Sequence, residues 1–204
     1  MSLQNKTVKE FTDLLAAKTS VPGGGGASAL AASVGIALGS MVGQFTLGKK
    51  KYADVEPDIQ ELMEKAEELQ KSLLQCIDRD AEAFEPLSKA YSIPKDNPDR
   101  DAIMEECLRN AAKVPFEILE LSCAAIDLQR EFADKGSKLM ISDSATGAAI
   151  LAGAIRGAAV NVKINTSSMK DRTYAEALEK KAEALLGEYI PKADKIYEDV
   201  VARI

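Results

Sequence analysis

The sequence predicts an all-α fold, a mostly antiparallel up-and-down helical bundle with two long helices and two small-residue-rich buried helices. Three observations predict it. Over two long stretches apolar residues step by alternating threes and fours, the spacing of helix seams packed in a bundle. No stretch alternates apolar and polar residues with period two, so no sheet is expected. Two further stretches, 27–48 and 144–164, are almost free of charge and carry small residues at every fourth position, which lets another backbone come close.

Thr7-Val-Lys-Glu10 is a capping-box pattern, and Val8, Phe11, Leu14 and Leu15 follow at helical spacing, so a short helix should run to about Lys18. Pro22 and four glycines then break it. In the next helix Ala27, Ala31, Gly35, Gly39 and Gly43 form the small-residue stripe. Its length would permit a membrane span, but Ala, Ser and Gly dominate where a span has Leu, Ile and Phe, so a buried central helix and no membrane partner are expected.

The first long seam runs Ile59, Leu62, Ala66, Leu69, Leu73, Cys76, Asp80, Ala83 and Leu87, apolar at every position except Asp80. Pro57 suits its first turn, and Pro86 should kink or end it before Tyr91. Ser92 to Pro98 reads as a loop, with Asn97 as N-cap and Pro98 opening the next helix. The second seam, Met104 to Phe132, is apolar throughout, with Pro115 a kink and Gly136 a stop. The two long helices should pair antiparallel. Ser142 and Asp143 open the second charge-poor helix, where Ala145, Ala149, Gly153 and Gly157 are followed in register by Asn161 and Asn165. Thr173-Tyr-Ala-Glu176 is a second capping box for a last, charged helix passing Gly187 and Pro191.

The 204 residues read as one domain, 1–204, long enough to bury about two-thirds of the unfolded surface without disulfides. Lys plus Arg number 26 and Asp plus Glu 32, a net charge of −6, which argues against a nucleic-acid partner. There is no histidine, so Ser-His-Asp triads, Cys-His pairs and the usual zinc sets are excluded, and proton chemistry must use carboxylates, Lys, Tyr or Cys. Cys76, Cys107 and Cys123 contain no CxxC and read as reduced thiols. The first twenty residues are polar and amphipathic rather than leader-like, and a cytoplasmic location is expected.

Two near-motifs are set aside. Gly43 to Lys50 has P-loop spacing but ends in Lys where a hydroxyl must hold magnesium, and Gly24, Gly26 and Ala29 fit a dinucleotide fingerprint without any βαβ unit around them. The Pro22–Gly26 loop is more informative, because it delivers unhindered backbone N–H groups to a helix start whose dipole favours an anion or carbonyl oxygen. A tight chain crossing is the alternative. Asp80 on an apolar seam should lose hydration and have its pKa raised toward the range useful for acid–base work. A salt bridge to Arg79 or to a Lys of a neighbouring helix, or a seam turning to solvent near the Pro86 kink, is the other reading. Asp143 fits an N-cap or a second functional carboxylate. Asn161 and Asn165 fit C-terminal caps or a pair of amides that hydrogen-bond a planar heterocycle. Lys49, Lys50 and Lys51 suit a solvated helix end or a polyanionic tail, and Arg156 is expected to be buried against a partner or ligand.

Pro22-Gly-Gly-Gly-Gly26 opening an Ala/Gly helix, the long helix around Asp80, Ser142-Asp143 with Gly147, and Asn161-Val-Lys-Ile-Asn165 together resemble the cyclodeaminase/cyclohydrolase family of folate enzymes. That family includes the C-terminal domain of formiminotransferase-cyclodeaminase and stand-alone methenyltetrahydrofolate cyclohydrolases. Gly26 stands where the family usually has Ser, and Ser28 lies two residues on. The resemblance implies a helical homodimer that opens or closes a one-carbon bridge between two folate nitrogens, with no metal or redox cofactor. It further implies Asp80 as general acid/base, Asp143 as a second carboxylate, and Gly23, Gly24, Gly25 and Gly26 as a backbone cradle with Ser28 beside it. Asn161 and Asn165 would bond the substrate, and Lys49, Lys50 and Lys51 would attract its glutamate tail. A chain of this length favours hydrolysis of methenyltetrahydrofolate to formyltetrahydrofolate. Formimidoyltetrahydrofolate cyclodeaminase activity is the alternative, and a non-catalytic helical dimer or adaptor is the reading from another class.

Overall fold

The computed structural model describes residues 2–204, and among them there are six α-helices, two short 3₁₀ turns and no strand. The helices are α1 (Val8–Leu15), α2 (Gly24–Gln44), α3 (Glu56–Ala90), α4 (Arg100–Lys135), α5 (Ile141–Thr166) and α6 (Arg172–Val201). The all-α expectation holds. Gly25 of α2 meets Asp80 of α3 while Gly43 meets Met63, so these two helices run antiparallel. Arg79 pairs with Glu117 and Asp58 with Lys135, which makes α3 and α4 antiparallel as well. On α5, Asn161 lies at Gly24 and Leu151 at Gly35, so α5 also opposes α2.

The core forms where the seams meet. Ile36, Ile59, Leu73, Ile118, Ile126, Phe132, Leu151 and Ile155 are fully buried, each contributing about 1.5–3 kcal/mol of apolar transfer. The small-residue stripe earns its place here: a methyl at Gly39 would come within 2.7 Å of the Phe132 ring. Among the described residues two side-chain polar atoms are buried without a hydrogen-bond partner, Gln129 Oε1 and Ser144 Oγ, although Gln129 Nε2 donates to the Gly35 carbonyl at 2.6 Å. The two charge-poor helices are long and apolar enough to cross a membrane by length and composition, yet more than half of each is buried against the other helices.

Several helix ends differ from expectation, each for a local reason. The Thr7 capping box forms, but α1 stops at Leu15. Gly24, Gly25 and Gly26 are not a loop; they are the first turn of α2, with Gly23 as its cap. By contrast, α3 passes Pro86 and ends at Ala90, just before Tyr91 as expected, and Leu87 beyond the proline is buried in a second apolar cluster with Leu108, Ala112 and Met169. That packing outweighs the roughly 3 kcal/mol cost of an internal proline. Asn97 does not cap α4: its side chain accepts from the Asp99 amide at 2.9 Å in a tight turn, and the helix starts at Arg100. Asp171 caps α6 in place of Thr173, accepting from the Tyr174 amide at 3.1 Å. Asp143 is no cap either, since it sits inside the first turn of α5 behind Met140.

Candidate active site

The three glycines that open α2 bring its N-terminus against α3. The Gly26 amide donates to Asp80 Oδ2 at 3.0 Å. Next to it, a Cβ on Gly25 would overlap the Asp80 carboxylate, so only glycine permits this approach. Asp80 is half-buried, and desolvation pushes its carboxyl above the ordinary range, with the Gly26 amide opposing as the smaller effect. The salt-bridge reading fails: both Arg79 guanidinium NH groups bond Glu117 at 2.6 Å, and no cation pairs with Asp80 among the described residues. Asp80 Oδ1 is left as an acceptor on the hollow beside it.

The opposite wall comes from a defect in α4. Pro115 has no N–H, so the Ala111 carbonyl four residues earlier lacks its helical partner. Asn165 of α5 supplies one, donating from Nδ2 to Ala111 O at 3.0 Å and also to the Asn161 carbonyl at 3.0 Å. Asn161 Nδ2 donates to Gly157 O at 2.8 Å. With both amide nitrogens engaged, the two Oδ1 atoms are the free acceptors. These asparagines are not helix caps; α5 runs past them to Thr166.

Between the walls lies a cleft of about 200 Å³. Asp80, Asn161, Asn165 and the Gly23–Gly25 backbone supply its polar side, and Val21, Phe84, Ala111, Pro115 and Ile164 its apolar side. Free acceptors facing apolar walls suit a flat, N–H-rich heterocycle, with the carboxylate placed to exchange a proton. Phe84 escaped the sequence reading, although it lies one helical turn beyond Asp80 on the same face of α3. Among the described residues no group of three His, Cys, Asp or Glu side chains could hold a metal ion.

The remaining candidates lie elsewhere. Ser28 is buried on the α5 side, its hydroxyl donating to Gly24 O at 2.7 Å. Asp143 is eighteen residues from Asn161 on α5, about 27 Å along the axis. Lys49, Lys50 and Lys51 follow the far end of α2, about 30 Å from Gly24, so within one chain they cannot serve this cleft. Lys49 lies over Phe45 and Lys51 over Tyr52 instead. Arg156, expected to be buried against a partner or ligand, is exposed in the chain alone, where it lines a groove between α5 and α6 rather than the core.

The turn of α3 that carries Asp80 is tied on three sides. Asp78 accepts from Ser2 Oγ at 2.6 Å, from the Leu3 amide, and from Gln4 Nε2 at 3.0 Å, holding the N-terminal segment beside Ser20 and Val21. Burial raises the Asp78 carboxyl, but these three donors together outweigh it and leave the group below its ordinary value. Arg79 ties the same turn to α4, and Asp80 ties it to α2.

Residues 7–184 match the sequence model of the family described as Formiminotransferase-cyclodeaminase. A methenyltetrahydrofolate cyclohydrolase of Methylorubrum extorquens is 38% identical over 204 residues, covering 98% of each chain. A formimidoyltransferase-cyclodeaminase of Dictyostelium discoideum is 33% identical over 96% of this chain, which spans only 36% of that longer protein. In three dimensions, the crystal structure of a formiminotetrahydrofolate cyclodeaminase from Thermotoga maritima superimposes with a TM-score of 0.85 at 28% identity, covering 98% of this chain and 99% of that one. The glycine-opened helix, the carboxylate it approaches and the paired asparagines thus sit in a chain that belongs to the formiminotransferase-cyclodeaminase family.

Proposed function

We propose that the chain is a methenyltetrahydrofolate cyclohydrolase, converting the cationic methenyl bridge to a formyl group. The observation that carries this reading is Asp80: a desolvated carboxylate, without a cationic partner, at the glycine-rich start of a helix. The full-length similarity to a cyclohydrolase supports it. The cationic amidinium carbon lies over Asp80, which lowers the cost of burying both charges. Water attacks that carbon as Asp80 takes one of its protons, giving a neutral carbinolamine. The hydroxyl then loses its proton, the bond from carbon to one nitrogen breaks, and that nitrogen is protonated from Asp80. The sum is one water consumed and one proton released. Asn161 and Asn165 accept hydrogen bonds from the pterin N–H groups, Phe84 and Pro115 cover its faces, and no cofactor beyond the folate enters the reaction as written.

The likeness to cyclodeaminases favours a second reading, in which the same carboxylate, protonated, delivers a proton to departing ammonia as a folate nitrogen closes on a formimino carbon. Absorbance decay of methenyltetrahydrofolate, against the spontaneous rate and against Asp80→Asn, tests the first reading. Ammonia release from formimidoyltetrahydrofolate tests the second. Acceleration of neither would overturn the folate assignment. We also assign a homodimer: the outward face of α2 carries no charge from Ala27 to Phe45 and exposes Val34, Met41 and Phe45, a stripe suited to a second copy.

A further inference from the structure

The cleft beside Asp80 holds about 200 Å³, room for a bicyclic head and little more. Whatever is attached to that head must leave over the surface, and one exit is marked. Ile164, Val160 and Arg156 are spaced four residues apart on α5 and form a single ridge. Ile164 lines the cleft itself, whereas Val160 and Arg156 line the neighbouring groove of about 360 Å³ between α5 and α6. Both aliphatic residues stand out in solvent, Ile164 at 63% and Val160 at 66% exposure. Arg156 has no carboxylate within ion-pair distance among the described residues, while the other cation of the groove, Lys163, is held by Glu179 at 2.5 Å.

From these relationships we infer that the Ile164–Val160–Arg156 ridge binds the arylamide tail of the folate, with Arg156 receiving its first glutamyl carboxylate. The assignment rests on the folate reading above. From Ile164 to Arg156 the ridge runs about 12 Å along the helix axis, a span that an aryl ring, an amide and one glutamyl residue cover. Apolar side chains meet the ring, and a free guanidinium at the end meets a carboxylate in forked geometry. This places the tail beside α6, away from Lys49–Lys51 beyond the far end of α2. Glu183, on the α6 wall of the groove, faces the same space and works against an anion there.

The test titrates p-aminobenzoylglutamate and p-aminobenzoyltriglutamate, which lack the pterin head, into wild type, Arg156→Ala, Arg156→Lys, Val160→Ser and Glu183→Gln, with backbone amide shifts as the readout. Turnover of mono- and triglutamyl methenyltetrahydrofolate by the same proteins runs in parallel. Wild type should show shifts at residues 156–164; Arg156→Ala should weaken binding about 3- to 10-fold and raise KM in step, with kcat within twofold. Arg156→Lys should recover only part of the loss, and Glu183→Gln should tighten binding. Equal binding by wild type and Arg156→Ala, or shifts confined to Lys49–Lys51, overturns the inference. Turnover with a KM indifferent to Arg156 sinks the tail site and leaves the reaction standing. Tail binding on the ridge without turnover of either folate does the reverse.

Discussion

Asn165 donates its side-chain amide at 3.0 Å to the carbonyl of Ala111, the one that Pro115 leaves without a partner in α4. A proline on one helix therefore orients a cleft-facing amide on another. Asn165→Ala should cost about 1–3 kcal/mol, because it strands a buried carbonyl. In a Pro115→Ala background the restored N–H satisfies that carbonyl, and the same substitution should cost about 1 kcal/mol less. Chemical denaturation of the four proteins measures the difference; additive losses would mean that Pro115 and Asn165 are independent.

Asp80→Asn should lower kcat by about 10²- to 10⁴-fold, the usual worth of a positioned general base, while circular dichroism stays unchanged. Hydrolysis needs the ionised carboxylate. Because burial raises its pKa, kcat/KM should fall on acidification at a pH above the ordinary Asp value of 3.8. A rate that is flat down to that value would remove Asp80 as the base.

The same shift has a consequence for stability with a definite sign. A carboxyl whose folded pKa is raised stabilises the fold when protonated, and that contribution is lost as pH rises through the folded value. At neutral pH the ionised Asp80 therefore works against folding, and Asp80→Asn should raise Tm at pH 7 more than at pH 4. Asp78 has the opposite sign. Its folded pKa is lowered, so acidification through that value should release Ser2–Gln4, seen as faster exchange of the Leu3 amide.

Gly25→Ala and Gly153→Ala make a matched pair. The first drives a methyl into the Asp80 carboxylate and should cost about 1–3 kcal/mol together with most of the activity. The second meets nothing within 4 Å inside a helix and should raise stability by about 0.5–1 kcal/mol with turnover intact.

Ser144→Ala removes a buried hydroxyl that has no partner and should be neutral or stabilising by up to about 1 kcal/mol in thermal unfolding. A loss of more than about 1 kcal/mol would instead reveal an ordered water bound to that hydroxyl.

Asp80 was legible because a single charge interrupted an otherwise apolar seam, and Asn161 and Asn165 because they continue a four-residue stripe of small residues. Each of those signals lies within one helix. Phe84, Val21 and Ile164 belong to three separate elements that only the packing brings to one cleft, and a lone aromatic or aliphatic residue carries no local mark of it. Pro115 was visible as a kink, but the freed carbonyl it offers to Asn165 depends on how α4 and α5 pack. The distance of Lys49–Lys51 and Asp143 from Asp80 within one chain was hidden for the converse reason. Nothing along the chain says that α2 and α5 are antiparallel, and so that their charged ends lie away from Asp80. Helix starts moved by a residue or two where a neighbouring side chain took the turn or the cap, as Asn97 and Asp171 do.

Asp78, Arg79 and Asp80 are consecutive, yet they bind the N-terminal segment, α4 and α2 respectively, because each residue of a helix turns about 100° from the last. The register of α3 is thereby locked like a key with three differently cut sides. Inserting one residue upstream of Asp78 would leave helicity untouched, yet present an arginine to the α2 glycines and a carboxylate to Glu117. Loop-length variation between α1 and α2, or between α3 and α4, leaves that alignment alone. Descendants of this chain are thus free to drift in their connections and in their outer faces, while an insertion or deletion within the first seven turns of α3 is closed to them.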